Sequence, residues 1–383
     1  MKKILIVSAV PTHPVNAGNR IWIIDNCKIL KNLGCDVYFL YVYVQPWKSS
    51  EEHTIEQTRE YWGDKFFLYK ASLFERIVMT VKKTIHKQLH NFYVKCDDKY
   101  PVFLSRKVKQ LNSCNHFDIC IVQYHYLTKL FDHVKFPFTA LATHDNFSYK
   151  DLVCNQRVND CLDANESAKA MQRADFVFSL NSREHIFFEM LSPRSKVYTV
   201  YSYYEYHPQP IANNKNILFL SGASPFNING LQWFLDEIFP VIIKKIPDCK
   251  LIIGGSICNK LKHLEFHGNI IIQGLIDDVE NFYRQGDICI NPTYQGTGLK
   301  TKTFEAVSYD KIEIAHPHSS IGIYAKEMAP ILFSDKAEDW VNEIDYLLTN
   351  SIGLRERKKE NEKYIKSLQQ YVINQYQDFL NHC

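Results

Sequence analysis

Compact apolar runs alternate along the chain with stretches whose apolar residues recur at helical spacing. Lys3–Val10 is the first apolar run and reads as a strand covered on both faces. A glycine-containing turn, Pro11–Arg20, leads to a helical pattern over Ile21–Leu33 that Gly34 closes, and Asp36–Val44 is a second strand. Strand, glycine loop, helix and strand in that order open a doubly wound parallel sheet. Residues 45–115 are less regular, apart from an amphipathic helical stretch over Ser72–Lys95. Strands are then expected at Phe117–Val122, Phe138–Thr143, Ala174–Leu180 and Lys196–Val200, with helical patterns at Leu162–Arg173 and Arg183–Leu191.

The pattern restarts after the Pro- and Tyr-rich stretch that ends near Asn216. Strands are expected at Asn216–Leu220, Lys250–Ile253, Ile270–Ile272, Ile288–Asn291 and Ile312–Ala315, with helical patterns at Leu231–Ile246, Val279–Gln285 and Asp339–Leu348. One more short element falls within Lys326–Phe333. The long helical stretch Leu354–Leu380 is expected to cross back onto the first half. The fold class is therefore α/β, with Rossmann-like domains over 1–205 and 206–360 and a returning helix over 361–383.

At 383 residues the chain suits two domains. Hydrophobic content of 46% and charged content of 23% are those of a globular chain with real cores. A net charge of +3 gives no general argument for a polyanion partner, so no nucleic-acid partner is expected. Eleven cysteines without a C-x-x-C pair read as reduced thiols in a cytoplasmic protein and argue against structural zinc. The apolar run after Met1 is too short for a signal peptide, and no run approaches the ~18–20 residues that span a bilayer. Ser72–Lys95 is basic as well as amphipathic. Such a helix can lie on an anionic membrane surface, here the inner face, or pack its apolar side on the sheet as an outer helix; the second is the expectation.

Candidate chemistry concentrates in Gln295–Tyr309, after the Ile288–Asn291 strand. Gly296 and Gly298 allow close backbone approach, and the helix start that follows suits a phosphate. Lys300 and Lys302 add positive charge, and Glu305, a turn further in, can accept hydrogen bonds from a pair of sugar hydroxyls. In the first half, Gly18, Asn19 and Arg20 follow the first strand, where a loop faces the ligand crevice of such a sheet. Arg20 either meets a phosphate or an acceptor there, or bonds locally. His144 and Asp145 end the Phe138–Thr143 strand, placed to bond a sugar, a phosphate oxygen or an acceptor hydroxyl.

This second-half pattern resembles the GT-B glycosyltransferases, specifically the retaining, family 4-like group. Ile217-Leu-Phe-Leu-Ser-Gly, with Asn227 and Gly230-Leu-Gln-Trp-Phe-Leu, is similar to the family's first strand, loop and helix of the second domain. Gly274-Leu-Ile-Asp-Asp-Val resembles the loop that flanks the base. Gly296-Thr-Gly-Leu-Lys-Thr-Lys-Thr-Phe-Glu-Ala resembles the nucleotide-sugar motif. The resemblance implies two domains facing across a cleft. It implies donor contacts from Ser221, Gly222, Asn227, Gly274, Leu275, Thr297, Gly298, Leu299, Lys300 and Lys302 and, through a weaker first-half match, from Gly18, Asn19 and Arg20. Glu305 then takes the ribose, while Lys300 and the Gly298 amide take the diphosphate. His144, Asp145 and Lys300 are the expected catalytic residues. Three departures stand out. Thr297 occupies the place of an earlier glutamate, the Arg and Lys usual after the first strand are absent from Ser221–Gly230, and His316-Pro-His318 replaces small residues at the donor-sugar end.

The expected activity is transfer of a sugar from a nucleoside-diphosphate sugar to a hydroxyl of a saccharide or lipid-linked acceptor, with retention, in cell-surface polysaccharide or glycoconjugate synthesis. No metal or other cofactor is expected, because a helix start and lysines can stabilise the leaving diphosphate. Asp145 as a base would instead invert. A sugar-nucleotide epimerase, a sugar phosphorylase and a degenerate nucleotide-sugar-binding subunit are the alternatives.

Overall fold

A computed structural model describes residues 1–15, 17–45, 49–90, 92–154, 161–261 and 268–383, the side chains of 49, 50 and 153 excepted. Two compact units divide the chain. One holds Met1–Tyr203 together with Val372–Cys383, the other Tyr204–Tyr371.

The first unit is built on seven parallel strands: β1 (Lys3–Ser8), β2 (Asp36–Tyr43), β3 (Phe66–Lys70), β4 (Ile119–Gln123), β5 (Phe138–Ala142), β6 (Phe176–Ser179) and β7 (Lys196–Thr199), in the order β3-β2-β1-β4-β5-β6-β7. Chain order reverses between β1 and β4, whose register runs from Ile4 opposite Ile119 to Val7 opposite Val122. Leu5, Val7, Cys120, Val122 and Leu141 are fully buried in one core cluster, as strands covered on both faces require. The end of the long C-terminal helix, Ser351–His382, packs Tyr376 and Phe379 edge-on against Phe178 of β6.

The second unit repeats the plan with six parallel strands: β8 (Asn216–Leu220), β9 (Lys250–Gly254), β10 (Ile270–Ile272), β11 (Ile288–Asn291), β12 (Ile312–Ala315) and β13 (Ile331–Phe333), in the order β10-β9-β8-β11-β12-β13. The reversal falls between β8 and β11. Ile217, Phe219, Leu251, Ile253, Ile288 and Trp340 share its core.

Local signals set the helix starts. Asn181 accepts from the Glu184 N–H at the head of Ser182–Leu191, and Ser224 does the same from Asn227 N–H for Pro225–Trp233. The latter corrects the expected start at Leu231, so Asn227 is helical. From Trp233 the chain continues through a π-turn, Phe234–Ile238, into Phe239–Lys245, where Pro240 removes an amide from the ladder. The first helix spans Gly18–Asn32 rather than starting at Ile21, which places Gly18, Asn19 and Arg20 in its first turn instead of a loop. Residues 45–115 prove more regular than their mixed pattern suggested, with helices at Ser49–Trp62 and Leu104–Asn115 and the edge strand β3.

The Leu73–Leu89 helix starts at a capping box: Ser72 accepts from Glu75 N–H, and Glu75 accepts from Ser72 N–H. Its apolar side does not pack on the sheet as expected. Glu75 and Met79 are buried, while Leu73, Phe74, Ile77, Val81, Ile85 and Leu89 are exposed. The inward face is chosen by Glu75, which accepts from Tyr69 Oη at 2.6 Å and Phe103 N–H at 2.8 Å.

Candidate functional site

In the second unit the carboxyl ends of β8 and β11 sit side by side where strand order reverses, the usual ligand position in an open α/β sheet. Two close backbone approaches shape that edge. Gly255 has φ +96°, and a Cβ there would lie 2.3 Å from Ser221 O. A Cβ on Gly230 would lie 2.6 Å from Pro292 O, so only glycine lets the Pro225–Trp233 helix rest on the exit of β11. The β11 loop then runs through Gly296 and Gly298, both with positive φ, to the Thr301–Ser308 helix.

Lys302, in the first turn of that helix, is the hub. Its Nζ donates to Asn227 Oδ1 at 2.9 Å, Thr293 Oγ1 at 2.9 Å and Ser221 Oγ at 3.3 Å, and lies 5.1 Å from the Phe219 ring centre. Three elements thus converge on one ammonium. Burial pushes its pKa down to about 7, nearby Lys300 adds to this, and the Glu313 carboxyl on β12 opposes it. The sequence shows Lys302 only as added positive charge beside the glycine loop; the structure ties it to Ser221 at the β8 exit.

Glu305 lies three residues on, hence on the same helix face as Lys302. It is partly exposed, and its Oε1 accepts from Tyr283 Oη at 3.1 Å. Burial raises its pKa, and the Tyr283 hydrogen bond counters this. Beneath it Glu313 is buried, with Oε2 lacking any partner among the described residues.

Lys300 is the N-cap residue, and no side chain caps this helix. Its Nζ reaches Thr297 O at 3.3 Å and Gly298 O at 3.5 Å, folding over the glycine loop. Leu299 O accepts from Thr301 N–H at 3.1 Å. His318 Nε2 donates to Gly296 O at 2.8 Å, and His316 Nδ1 accepts from the His318 N–H at 3.1 Å. The two histidines therefore brace the glycine loop. Gly222 O accepts from Asn227 Nδ2 at 3.0 Å. Gly274 O accepts from Gly255 N–H at 2.7 Å, and Leu275 projects into solvent beside it. Ser221, Gly222, Asn227, Thr297, Gly298, Leu299, Lys300, Lys302 and Glu305 thus gather at one edge of the sheet. Thr293, Tyr283, Gly255 and Glu313 join them without a prior sequence signal; each is an ordinary strand-end or helix residue until its partner is known.

In the first unit His144 follows β5 with φ +64°. Its ring stacks on Tyr124 at 4.2 Å and meets Trp22 edge-on at 4.8 Å, and Nε2–H donates to Gln123 Oε1 at 2.7 Å. Burial drops its pKa to about 3, so the imidazole is neutral, with Nδ1 left as an acceptor. Asp145 pairs with Lys150 through Oδ2, while Oδ1 is buried without a partner among the described residues. Glu184 is buried nearby, and burial plus the Asp145 charge raise its pKa to about 7. Asn19 Nδ2 donates to Tyr124 Oη at 3.0 Å, and Arg20 donates to Pro14 O at 3.1 Å, so Arg20 does bond locally. A cavity of about 210 Å³ opens at the β1, β4 and β5 exits, lined by Lys95, Lys99, Tyr124, His125, Tyr126 and Phe147.

Known proteins share this architecture. Residues 214–350 match the family Glycosyl transferases group 1. An uncharacterized 44.6 kDa protein in the cps region of Klebsiella pneumoniae is 23% identical over 341 residues, covering 80% of this chain and 81% of that protein. Among solved structures, sucrose-phosphate synthase from Thermosynechococcus elongatus superposes with a TM-score of 0.70 at 13% identity, over 100% of this chain and 99% of that one. The pneumococcal O-GlcNAc transferase GtfA, in complex with UDP and GlcNAc, gives 0.68 at 9% identity over 100% and 99%. Both share the fold.

Proposed function

We propose that this chain, a glycosyltransferase of GT-B fold whose residues 214–350 form a group 1 domain, moves a sugar from a nucleoside-diphosphate sugar to an acceptor hydroxyl in the synthesis of a cell-surface polysaccharide or glycoconjugate. The observation that carries the reading is the Lys302–Glu305 pair on one face of the helix that starts at the β8/β11 reversal. Glu305 accepts from the ribose hydroxyls. The Thr301–Ser308 helix start, the Gly298 amide, Lys300 and Lys302 hold the diphosphate.

As the anomeric C–O bond breaks, negative charge grows on the leaving β-phosphate. A pre-placed ammonium and helix dipole stabilise it there without reorganising. Lys302 suits this task because its three hydroxyl and amide partners fix it in advance. The charge is supplied by these groups, so the reading includes no metal ion, and activity should persist in EDTA. Neutral His144, whose free Nδ1 accepts, suits a sugar hydroxyl rather than a phosphate. Asp145 Oδ2 is engaged by Lys150, which occupies that oxygen and favours retention. The cavity with Lys95 and Lys99 among aromatic rings suits the acceptor.

Genomic context of the Klebsiella relative supports polysaccharide synthesis. Eleven free cysteines support a cytoplasmic site of action, and the reading includes a peripheral contact with the inner membrane face. The test is product analysis by mass spectrometry and NMR with a panel of nucleotide sugars, UDP-sugars first because GtfA holds UDP. An α-linked product from an α-linked donor supports it; absence of any sugar transfer or donor hydrolysis across the panel refutes it.

A further inference from the structure

We infer that the exposed face of the Leu73–Leu89 helix is a docking surface for an anionic phospholipid bilayer. The inference rests on the peripheral contact proposed above and names the residues and lipid chemistry that make it.

The helix has 17 residues and so runs about 25 Å. Leu73, Ile77, Val81, Ile85 and Leu89 recur every fourth residue, with Phe74 inside the same band. These six side chains are between 46% and 71% exposed. Glu75 and Met79 mark the opposite, buried face. The apolar side of this amphipathic helix therefore looks outward along its whole length, the reverse of a helix that supports its own sheet. Val102 and Phe103 are exposed too, and the Phe103 N–H bonds Glu75 Oε1 at 2.8 Å, so the patch continues beside the helix start.

Charge selects the partner. Lys82 borders the band on one side and Lys87 on the other, with Lys83 and Arg76 behind Lys87. Arg106 lies over the Phe103 ring at 5.8 Å. The helix's single acid, Glu75, is buried and accepts from Tyr69, Ser72 and Phe103. An apolar band with a cationic border, on a helix whose one acid is buried, matches acyl chains beneath anionic headgroups. A symmetric contact with a second copy would set lysine against lysine. No helix among the described residues is long and apolar enough to cross a membrane, so the contact would be interfacial.

The test is co-sedimentation of the full chain with vesicles of phosphatidylcholine alone and of phosphatidylcholine with phosphatidylglycerol. Binding is expected only to the anionic vesicles and should weaken with salt. The variant I77E/V81E/I85E should lose binding at least about a hundredfold, and K82Q/K83Q/K87Q about fivefold per lysine. Transfer to a water-soluble acceptor should be unchanged in both, since none of these residues lies at the donor edge. Vesicle binding by I77E/V81E/I85E equal to the unsubstituted chain would overturn the inference. So would light scattering that shows a dimer broken by the same variant while vesicle binding stays intact. Loss of sugar transfer in the unsubstituted chain would instead count against the enzymatic reading and leave the vesicle result to decide this one.

Discussion

Lys302 Nζ and Asn227 Oδ1 lie 2.9 Å apart, joining the helix after β11 to the helix after β8. That bond supplies a cation to the β8 edge, where Ser221–Gly230 carries none of its own. Replacing Lys302 by Met removes the cation while keeping most of its stem. The expected outcome is a fall in kcat/KM of about a hundredfold at near-native thermal stability. Steady-state kinetics and a melting curve check both parts.

Donor affinity should depend on pH through the same group. Burial holds the Lys302 pKa down at about 7, so below that the ammonium is already charged and ready for a diphosphate. Above it, binding must take up a proton, and affinity should fall by up to about tenfold per pH unit. Lys302→Arg, charged throughout, should flatten this slope. Titrations across the pH range measure it.

Tyr283 and Glu305 form a second testable pair, joined at 3.1 Å. Tyr283→Phe removes a bond worth about 1 kcal/mol and should raise the donor Kd about fivefold. An unchanged Kd would remove Tyr283 from the site.

Gly255 and Gly274 should respond differently to alanine. A Cβ at Gly255 meets Ser221 O at 2.3 Å and needs φ +96°, whereas Gly274 at φ +76° has open space. Gly274→Ala should cost about 1–2 kcal/mol from its backbone alone. Gly255→Ala should cost clearly more, read as a larger drop in Tm, because the backbone under Ser221 must move.

Glu184 gives a stability prediction. Its folded pKa is raised from 4.5 to about 7, so the native state binds more protons than the unfolded state between those values. Stability should therefore fall as pH rises through that window, by up to about 3 kcal/mol. Glu184→Gln should remove the slope, as denaturant melts at several pH values would show.

Much of this architecture is legible in the sequence. The apolar runs located the strands because both faces of a parallel sheet are covered, and the Gly296–Glu305 spacing located the strand-to-helix junction. Other features were hidden for identifiable reasons. Lys302 reads only as added positive charge until Asn227, Thr293 and Ser221 are brought to it from distant positions. Gly18 reads as a loop glycine although it opens a helix. The Leu73–Leu89 pattern states that one side is apolar but not which way it points; Glu75, an acid, takes the inward face through Tyr69 and Phe103, which periodicity alone cannot show. Edge strand β3, Phe66–Lys70, lacks the long apolar run of a central strand and so carries no strand signal of its own.

The most direct measurement is isothermal titration of the donor nucleotide, UDP first, into the unsubstituted chain and Glu305→Ala. The account predicts saturable binding that weakens about ten- to a hundredfold in the variant, with unchanged melting behaviour. Equal affinity in both proteins would contradict it.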